Sequence, residues 1–146
     1  MRRGWSSRVR RLLSRDGARV AEAISCLALA RVAVMALPFR VLARRLGVRH
    51  AETAAIASVH PASRGVAWAI AAAARRAPWR AECLEQAIAA KAMLRRRGIA
   101  STLYLGMARD PVAAHAWVRV GDTNVTGGGN VARYVVVASF ADIDDR

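Results

Sequence analysis

Acidic and aromatic side chains are both scarce in this sequence. Aromatic residues make up 5% of the 146 positions. The chain has 10 acidic residues and 24 lysines and arginines, which gives a formal net charge of +14. So large a positive excess favours acidic partners such as nucleic acids, anionic membranes or acidic peptides. The arginines stand in short clusters, for example over 95–97, as is typical of solvated faces and helix ends. The tryptophans are scattered, so no nucleic-acid partner is expected.

Cysteines and the common ligand motifs are also few. Cys26 and Cys83 are the two cysteines, too few for the disulfide framework of a secreted domain, so a cytoplasmic location is the simpler expectation. The chain has no CxxC motif and no HxxxH motif, and the run 127–129 of three glycines lacks the lysine of a phosphate-binding loop. We therefore expect no metal and no cofactor, and the sequence is silent on a nucleotide requirement.

A long uninterrupted apolar run is missing as well. The most apolar stretch, residues 20–37, contains Glu22 and Arg31, and charges near the centre of a membrane span are costly. Pro38 follows it, not the small polar residues of a cleavage site. The pattern predicts a packed helix, with peripheral contact between a basic amphipathic helix and anionic lipid as the alternative.

The spacing of apolar residues changes from a helical to a strand pattern after Gly98. Helices are predicted over 17–36 with Asp16 as N-cap, over 39–46, over 66–76 with Ser63 as N-cap, and over 81–97. Strands are predicted over 101–105, 115–120, 123–126 and 134–138, with a flexible corner at 127–129 and a loose tail from Asp142.

This order predicts an α+β architecture. Helices come first, and the strongest helix then packs on an antiparallel sheet. We divide the chain into an N-terminal helical region over 1–62 and a core over 63–146.

Cys83 stands in the first turn of the strongest predicted helix. Free backbone N–H groups and the helix dipole stabilise a thiolate there, and the thiolate is the useful nucleophile. Arg80 favours that charge, whereas Glu82 and Glu85 disfavour it. A lone cysteine at a helix start is more often a small buried residue, so the position alone does not establish chemistry.

His115 opens an alternating strand, on the face opposite Ala116. From a strand start it can reach a helix N-terminus packed on the same sheet, accept a thiol proton and return it to a leaving amine. A lone histidine on a strand is more often structural. His50 and His60 lie in an unpatterned stretch and are predicted to be polar surface residues.

Two motifs carry a resemblance to a known family. The string Pro-Trp-Arg-Ala-Glu-Cys-Leu-Glu-Gln-Ala over 78–87, followed by a basic helix end and Gly98, resembles the transglutaminase-like B2 proteins of lasso-peptide biosynthesis. The strand His-Ala-Trp-Val over 115–118 is similar to that family's motif, and 27–40 resembles its N-terminal helices. The resemblance covers about residues 10–140.

The resemblance implies a cysteine protease with a papain-like, transglutaminase-like core that removes the leader from a ribosomally made precursor peptide. It implies that Cys83 is the nucleophile and that His115 is the general base and acid. It also implies three partners: the precursor leader, a separate leader-binding protein that presents the precursor, and a lasso cyclase that takes the freed core peptide.

The family's third catalytic residue has no direct counterpart. The family carries an Asp about a dozen residues after the His, and that position is Gly127 here. Asn130 is the preferred replacement, by analogy with Cys-His-Asn sites, and Asp122 and Asn124 are the alternatives.

Other classes of function stay open at this point. The chain could be an inactive peptide-binding module of the same fold, an acyltransferase that passes a thioester to an amine, or a basic protein at a membrane surface or on nucleic acid. Alkylation of Cys83 by iodoacetamide separates the two enzymes from the binders, because only the enzymes need a reactive thiol.

Overall fold

The computed structural model describes Arg10, residues 14–55 and residues 60–143. In chain order its elements are α1 (Arg15–Ala36), α2 (Phe39–Leu46), β1 (Val48–Arg49), α3 (Pro61–Arg76), α4 (Cys83–Arg96), β2 (Thr102–Ala108), β3 (Ala113–Val120), β4 (Thr123–Thr126), a 3-10 helix (Gly128–Arg133) and β5 (Val135–Ala141). Helices therefore precede the main strands, which confirms the predicted α+β class.

The strands form an antiparallel sheet in the order β1-β5-β2-β3-β4. His115 on β3 lies opposite Gly106 on β2, and Val136 on β5 lies opposite Gly106 from the other side. These three residues therefore form one row across the sheet. A register shift between Leu105 and Gly106 marks a bulge beside this row.

The core lies between the helices and one face of the sheet. Strand alternation places Ala116, Val118 and Val120 on that face, and His115 and Trp117 on the other. The core side chains from the remaining strands and from the helices include Leu103, Ala138 and Phe140, and Leu27, Leu42, Ile70, Ala87, Met93 and Leu94. Helix α1 packs against both α3 and α4. The division of the chain at residue 62 stays a prediction.

The start of α1 differs from the prediction. Ser14 is the N-cap, and its Oγ accepts a hydrogen bond from Gly17 N at 3.1 Å. Asp16 lies inside the first turn, where it forms an ion pair with Arg19 at 3.5 Å. The Asp16 cap was wrong because Ser14, two residues upstream, already fills that role.

The start of α3 also lies upstream of its predicted position. His60 is the N-cap, and its Nδ1 accepts from Ala62 N at 3.2 Å. Pro61 takes the first helical position, where its fixed φ suits the helix. Ser63 instead donates from Oγ to the His60 carbonyl at 2.7 Å, so the cap assigned to it was wrong.

A buried lysine joins α4 to the residue before β2 and to the end of β5. Lys91 is 1% exposed, and its Nζ donates to the carbonyls of Ser101 at 2.8 Å and Phe140 at 3.3 Å. The Asp142 carboxylate lies 3.0 Å from the same Nζ and also pairs with Arg95 at 2.7 Å. The predicted loose tail is therefore anchored at Asp142, because a buried ammonium needs a compensating charge. Residues 144–146 lie outside the described residues.

None of the helices over the described ranges is long and apolar enough to cross a membrane.

Candidate active site

Cys83 is the first residue of α4 and is half-buried against the core. The N-cap residue, Glu82, forms no side-chain capping hydrogen bond with the described residues, and its carboxylate lies 3.5 Å from Arg80 Nε. No cap side chain therefore occupies the N–H groups at the start of α4. These groups are available to a thiolate or to an oxyanion.

Glu85, which the sequence analysis counted against a thiolate, is paired by a distant arginine. Its side chain is buried, and its Oε1 accepts from Arg31 Nη1 at 3.0 Å. The ion pair offsets one of the two negative charges near Cys83. This pairing could not be predicted from the sequence, because Arg31 lies on α1, where it is visible only as a charge that interrupts an apolar run. The second oxygen, Glu85 Oε2, is buried with no partner among the described residues.

From the lengths of α4 and β2 we infer that Cys83 and His115 lie toward the same end of the sheet. Lys91 contacts Ser101 just before β2, and β2 then runs back along α4. The rise from Lys91 to Cys83 is roughly 12 Å, which matches roughly four residues of strand. Gly106 lies five residues beyond Ser101, and it is the residue opposite His115.

The ring of His115 is held by a main-chain acceptor and by aromatic neighbours. His115 Nε2 lies 2.6 Å from the Gly127 carbonyl oxygen. A carbonyl oxygen only accepts, so Nε2 carries the hydrogen, and Nδ1 is the basic nitrogen of the neutral ring. The ring centroid lies 5.8 Å from that of Trp117 and 4.9 Å from that of Tyr134. The ring therefore has a defined tautomer and orientation.

No hydrogen bond joins Cys83 to His115 within the described part of the chain. The ring lies on the face that carries Trp117, and the neighbouring Ala116 lies on the face that packs against α4. On its outer side, β3 pairs with β4 only from Val118 onward, so His115 stands at the edge of the sheet, beside the Gly127 turn.

The hydrogen-bond partner of His115 is a backbone atom rather than one of the candidate side chains. None of the side chains of Asn130, Asp122 and Asn124 forms a hydrogen bond with His115 among the described residues. Asn130 lies in the 3-10 helix with φ −149° and ψ 51°, and Asp122 lies at the exposed turn after β3. The hydrogen bond to the ring is made by the Gly127 carbonyl, which the turn brings to it, and the role assigned to Asn130 stays a prediction.

Gly127 is suited to this contact by its backbone. Its φ is +64°, and a Cβ built there would lie 2.6 Å from the Ala116 carbonyl oxygen and 2.9 Å from His115 Nε2. Only glycine adopts this conformation at this distance without strain. The position that the resemblance assigns to an Asp therefore holds a residue whose main chain can approach the imidazole.

Trp79, just before α4, packs against the core. Its Nε1 is buried and has no hydrogen-bond partner among the described residues.

Residues 23–139 match the model of a protein family described as the Transglutaminase-like superfamily. No curated protein matches the chain. No solved structure matches it. The matched stretch contains α4 with Cys83, the strand with His115 and the turn at Gly127. A match over this much of the chain shows that it belongs to the transglutaminase-like superfamily.

Proposed function

We propose that this chain is a cysteine peptidase that removes the leader from a ribosomally made lasso-peptide precursor. The observation that carries the proposal is the state of His115. Its Nε2–H is bound to the Gly127 carbonyl at 2.6 Å, which leaves Nδ1 free to accept a thiol proton. Cys83 supplies the thiol at an uncapped helix N-terminus toward the same end of the sheet. The superfamily includes cysteine proteases, and the two motifs supply the resemblance to leader peptidases.

In the proposed mechanism, Cys83 gives its proton to His115 Nδ1, and Sγ attacks the carbonyl carbon of the bond after the leader. The N–H groups at the start of α4 stabilise the oxyanion. His115 returns the proton to the amine nitrogen as the C–N bond breaks, which leaves a thioester on Cys83. Water then attacks the thioester, with His115 as the base, and releases the leader acid. The freed amine of the core peptide is the group that a cyclase needs.

The mechanism requires a movement of the His115 side chain. Sγ and Nδ1 must approach to about 3 Å in the substrate complex, and no hydrogen bond joins them in the free chain. The ring stands at a sheet edge, beside the Gly127 turn. We infer that rotation of this side chain around the edge, with the turn following it, forms the pair when substrate binds.

The proposed partners follow from the resemblance and from charge. They are the precursor, a separate leader-binding protein and a lasso cyclase, in the cytoplasm. A net charge of +14 favours an acidic substrate or partner surface.

The test is cleavage of the precursor encoded beside this protein, with and without the leader-binding protein, followed by mass spectrometry. We expect the wild type to release an intact leader and Cys83→Ala and His115→Ala to release none. Cys26→Ala is the matched control, because burial raises the pKa of the Cys26 thiol and makes it a poor nucleophile. Iodoacetamide should label Cys83 before Cys26. Equal cleavage by all variants would exclude the Cys83–His115 assignment.

An inactive peptide-binding module of the same fold is the second candidate. It is favoured by the lack of a Cys83–His115 hydrogen bond among the described residues and by a glycine at the third position. Precursor binding without cleavage, even with the partner present, would place this candidate first.

A further inference from the structure

Half of β5 has an unpaired edge. On that side, β1 pairs only with Ala141 and Phe140, and His50 N donates to the Ser139 carbonyl at 2.8 Å. Over Val135–Val137, one side of β5 faces β2. The other side forms no backbone hydrogen bond with any described residue. A row of free N–H and C=O groups is a template for another strand.

The residues of this open edge are unusually apolar for an exposed strand. Val135, Val136 and Val137 are 72%, 46% and 53% exposed, and no charged residue interrupts them. Proteins usually protect such edges with charges or proline, whereas the described residues of this edge show a bulge, opposite Leu105 and Gly106. An exposed run of β-branched residues on an open edge is typical of a surface that binds an extended peptide.

A groove at the end of the edge combines apolar and basic groups. It has a volume of about 490 Å³, and its walls include Met107, Val112 and Val135. Arg109 and Arg133 form its rim, and neither forms an ion pair with any described residue. The Arg133 guanidinium lies 5.4 Å from the centroid of the Tyr134 ring, which orients its charge. This composition suits one apolar side chain flanked by carboxylates.

We propose that the Val135–Val137 edge binds an extended acidic peptide as an additional strand antiparallel to β5. The free backbone groups supply affinity, the groove accepts an apolar side chain, and Arg109 and Arg133 select carboxylates. A second copy of this chain is a poor occupant, because it would bring the same arginines and a further +14 of charge to the edge.

The edge also has a defined relation to the proposed cleavage site. A strand added beside β5 lies three strand spacings from β3, or roughly 14 Å. About four to five extended residues span that distance. This step rests on the proposed function: in a leader peptidase, the edge binds an acidic part of the leader at least that many residues before the cut bond.

The test uses a fluorescein-labelled ten-residue peptide of alternating Glu and Val, with the Cys83→Ala chain, so that binding is measured apart from catalysis. Two further probes are N-methylated on alternate amides. One carries the methyl groups on the odd-numbered residues and the other on the even-numbered residues, so that only one of them blocks the amides that face β5. We expect one N-methylated register to lose at least about tenfold in affinity by fluorescence anisotropy and the other to bind nearly normally. The amides within Val135–Val137 that point away from β2 should gain protection from hydrogen exchange when the unmodified peptide binds.

The need for positive charge is tested by two double variants that each replace two arginines with glutamates. Arg109→Glu with Arg133→Glu should weaken binding at least about tenfold. Arg64→Glu with Arg75→Glu, at exposed positions on α3, changes the net charge equally and should leave affinity within about twofold. Equal losses in both pairs, equal binding of both N-methylated probes, or protection confined to other strands would overturn the proposal. Binding at the edge without precursor cleavage would retain the docking site and reject the peptidase.

Discussion

Replacement of Gly127 by alanine tests whether the turn carbonyl positions His115. An L-residue at φ +64° costs about 1–2 kcal/mol. The added Cβ would also lie 2.6 Å from the Ala116 carbonyl oxygen, so the turn must shift, at about 1–3 kcal/mol more. We expect an unfolding free energy lower by about 2–5 kcal/mol and a carbonyl displaced from Nε2. A displacement of about 1 Å predicts a kcat lower by about 100-fold with little change in KM.

The assay combines kinetics with a direct observation of the ring. Nitrogen-15 NMR of labelled histidine reports which ring nitrogen of His115 carries the hydrogen and whether that hydrogen is protected from exchange. In wild type we expect the Nε2–H tautomer, with slow exchange. In Gly127→Ala we expect a mixture of tautomers and fast exchange. A purely structural role for Gly127 would lower stability without changing the tautomer.

Gly129→Ala is the matched control for this experiment. A Cβ at Gly129 meets no atom within 4 Å, and this glycine is not among those with positive φ. We expect wild-type cleavage and the wild-type His115 spectrum. The reasoning would be refuted if Gly127→Ala kept the Nε2–H tautomer and full kcat, or if both alanine variants lost activity equally.

Three further predictions concern buried and paired charges. Burial lowers the pKa of Lys91 to about 8 from 10.5, so the unfolded chain binds the proton more tightly, and the free energy of unfolding should rise between those pH values by up to about 3 kcal/mol. Urea titrations at pH 7 to 10 should show this rise in wild type and not in Lys91→Met. The same dependence of unfolding free energy on pH in both proteins would contradict the prediction. Hydrogen bonds from Arg97 lower the pKa of Glu22 from 4.5, so this pair adds stability above pH 4.5 that is lost as pH falls through the pKa of the folded state. Glu22→Gln should lower the free energy of unfolding by about 1–2 kcal/mol at pH 7 and by less in acid. A loss that does not change with pH would exclude the ionic contribution. Arg31→Met leaves the Glu85 carboxylate buried and unpaired, which should lower the free energy of unfolding by about 3–5 kcal/mol and slow the alkylation of Cys83. Adding Glu85→Gln should restore most of the stability and most of the alkylation rate. A failure of this rescue would show that Arg31 acts through packing.

The elements that the sequence patterns predicted well are bounded by residues that start or stop them locally. Helix α2 was predicted over its observed range, because Pro38 precedes it and Gly47 ends it. The positions of the four strands after Gly98 were also predicted, although β2, β3 and β5 extend further than expected. Helix starts were less predictable, since several polar residues near each start compete for the same N–H groups.

The catalytic roles of the candidate residues stay predictions. Cys83 and His115 could be named as candidates from residue type, position and motif. The acceptor of the His115 hydrogen bond could not, because any residue offers a carbonyl and only the turn conformation at Gly127 directs it. The Arg31–Glu85 pair was equally hidden, since 54 residues separate its members and only the packing of α1 on α4 brings them together.

The use of a carbonyl as the partner of His115 changes what mutation can do at this position. An Asp or Asn in this role can be deleted by one substitution, whereas every amino acid at residue 127 retains a carbonyl oxygen. The requirement therefore falls on conformation, and the residues tolerated at 127 should be ranked by how readily they adopt a positive φ rather than by polarity. A neutral acceptor also has no proton to gain in acid, so the ring should keep its orientation at pH values where a carboxylate would release it.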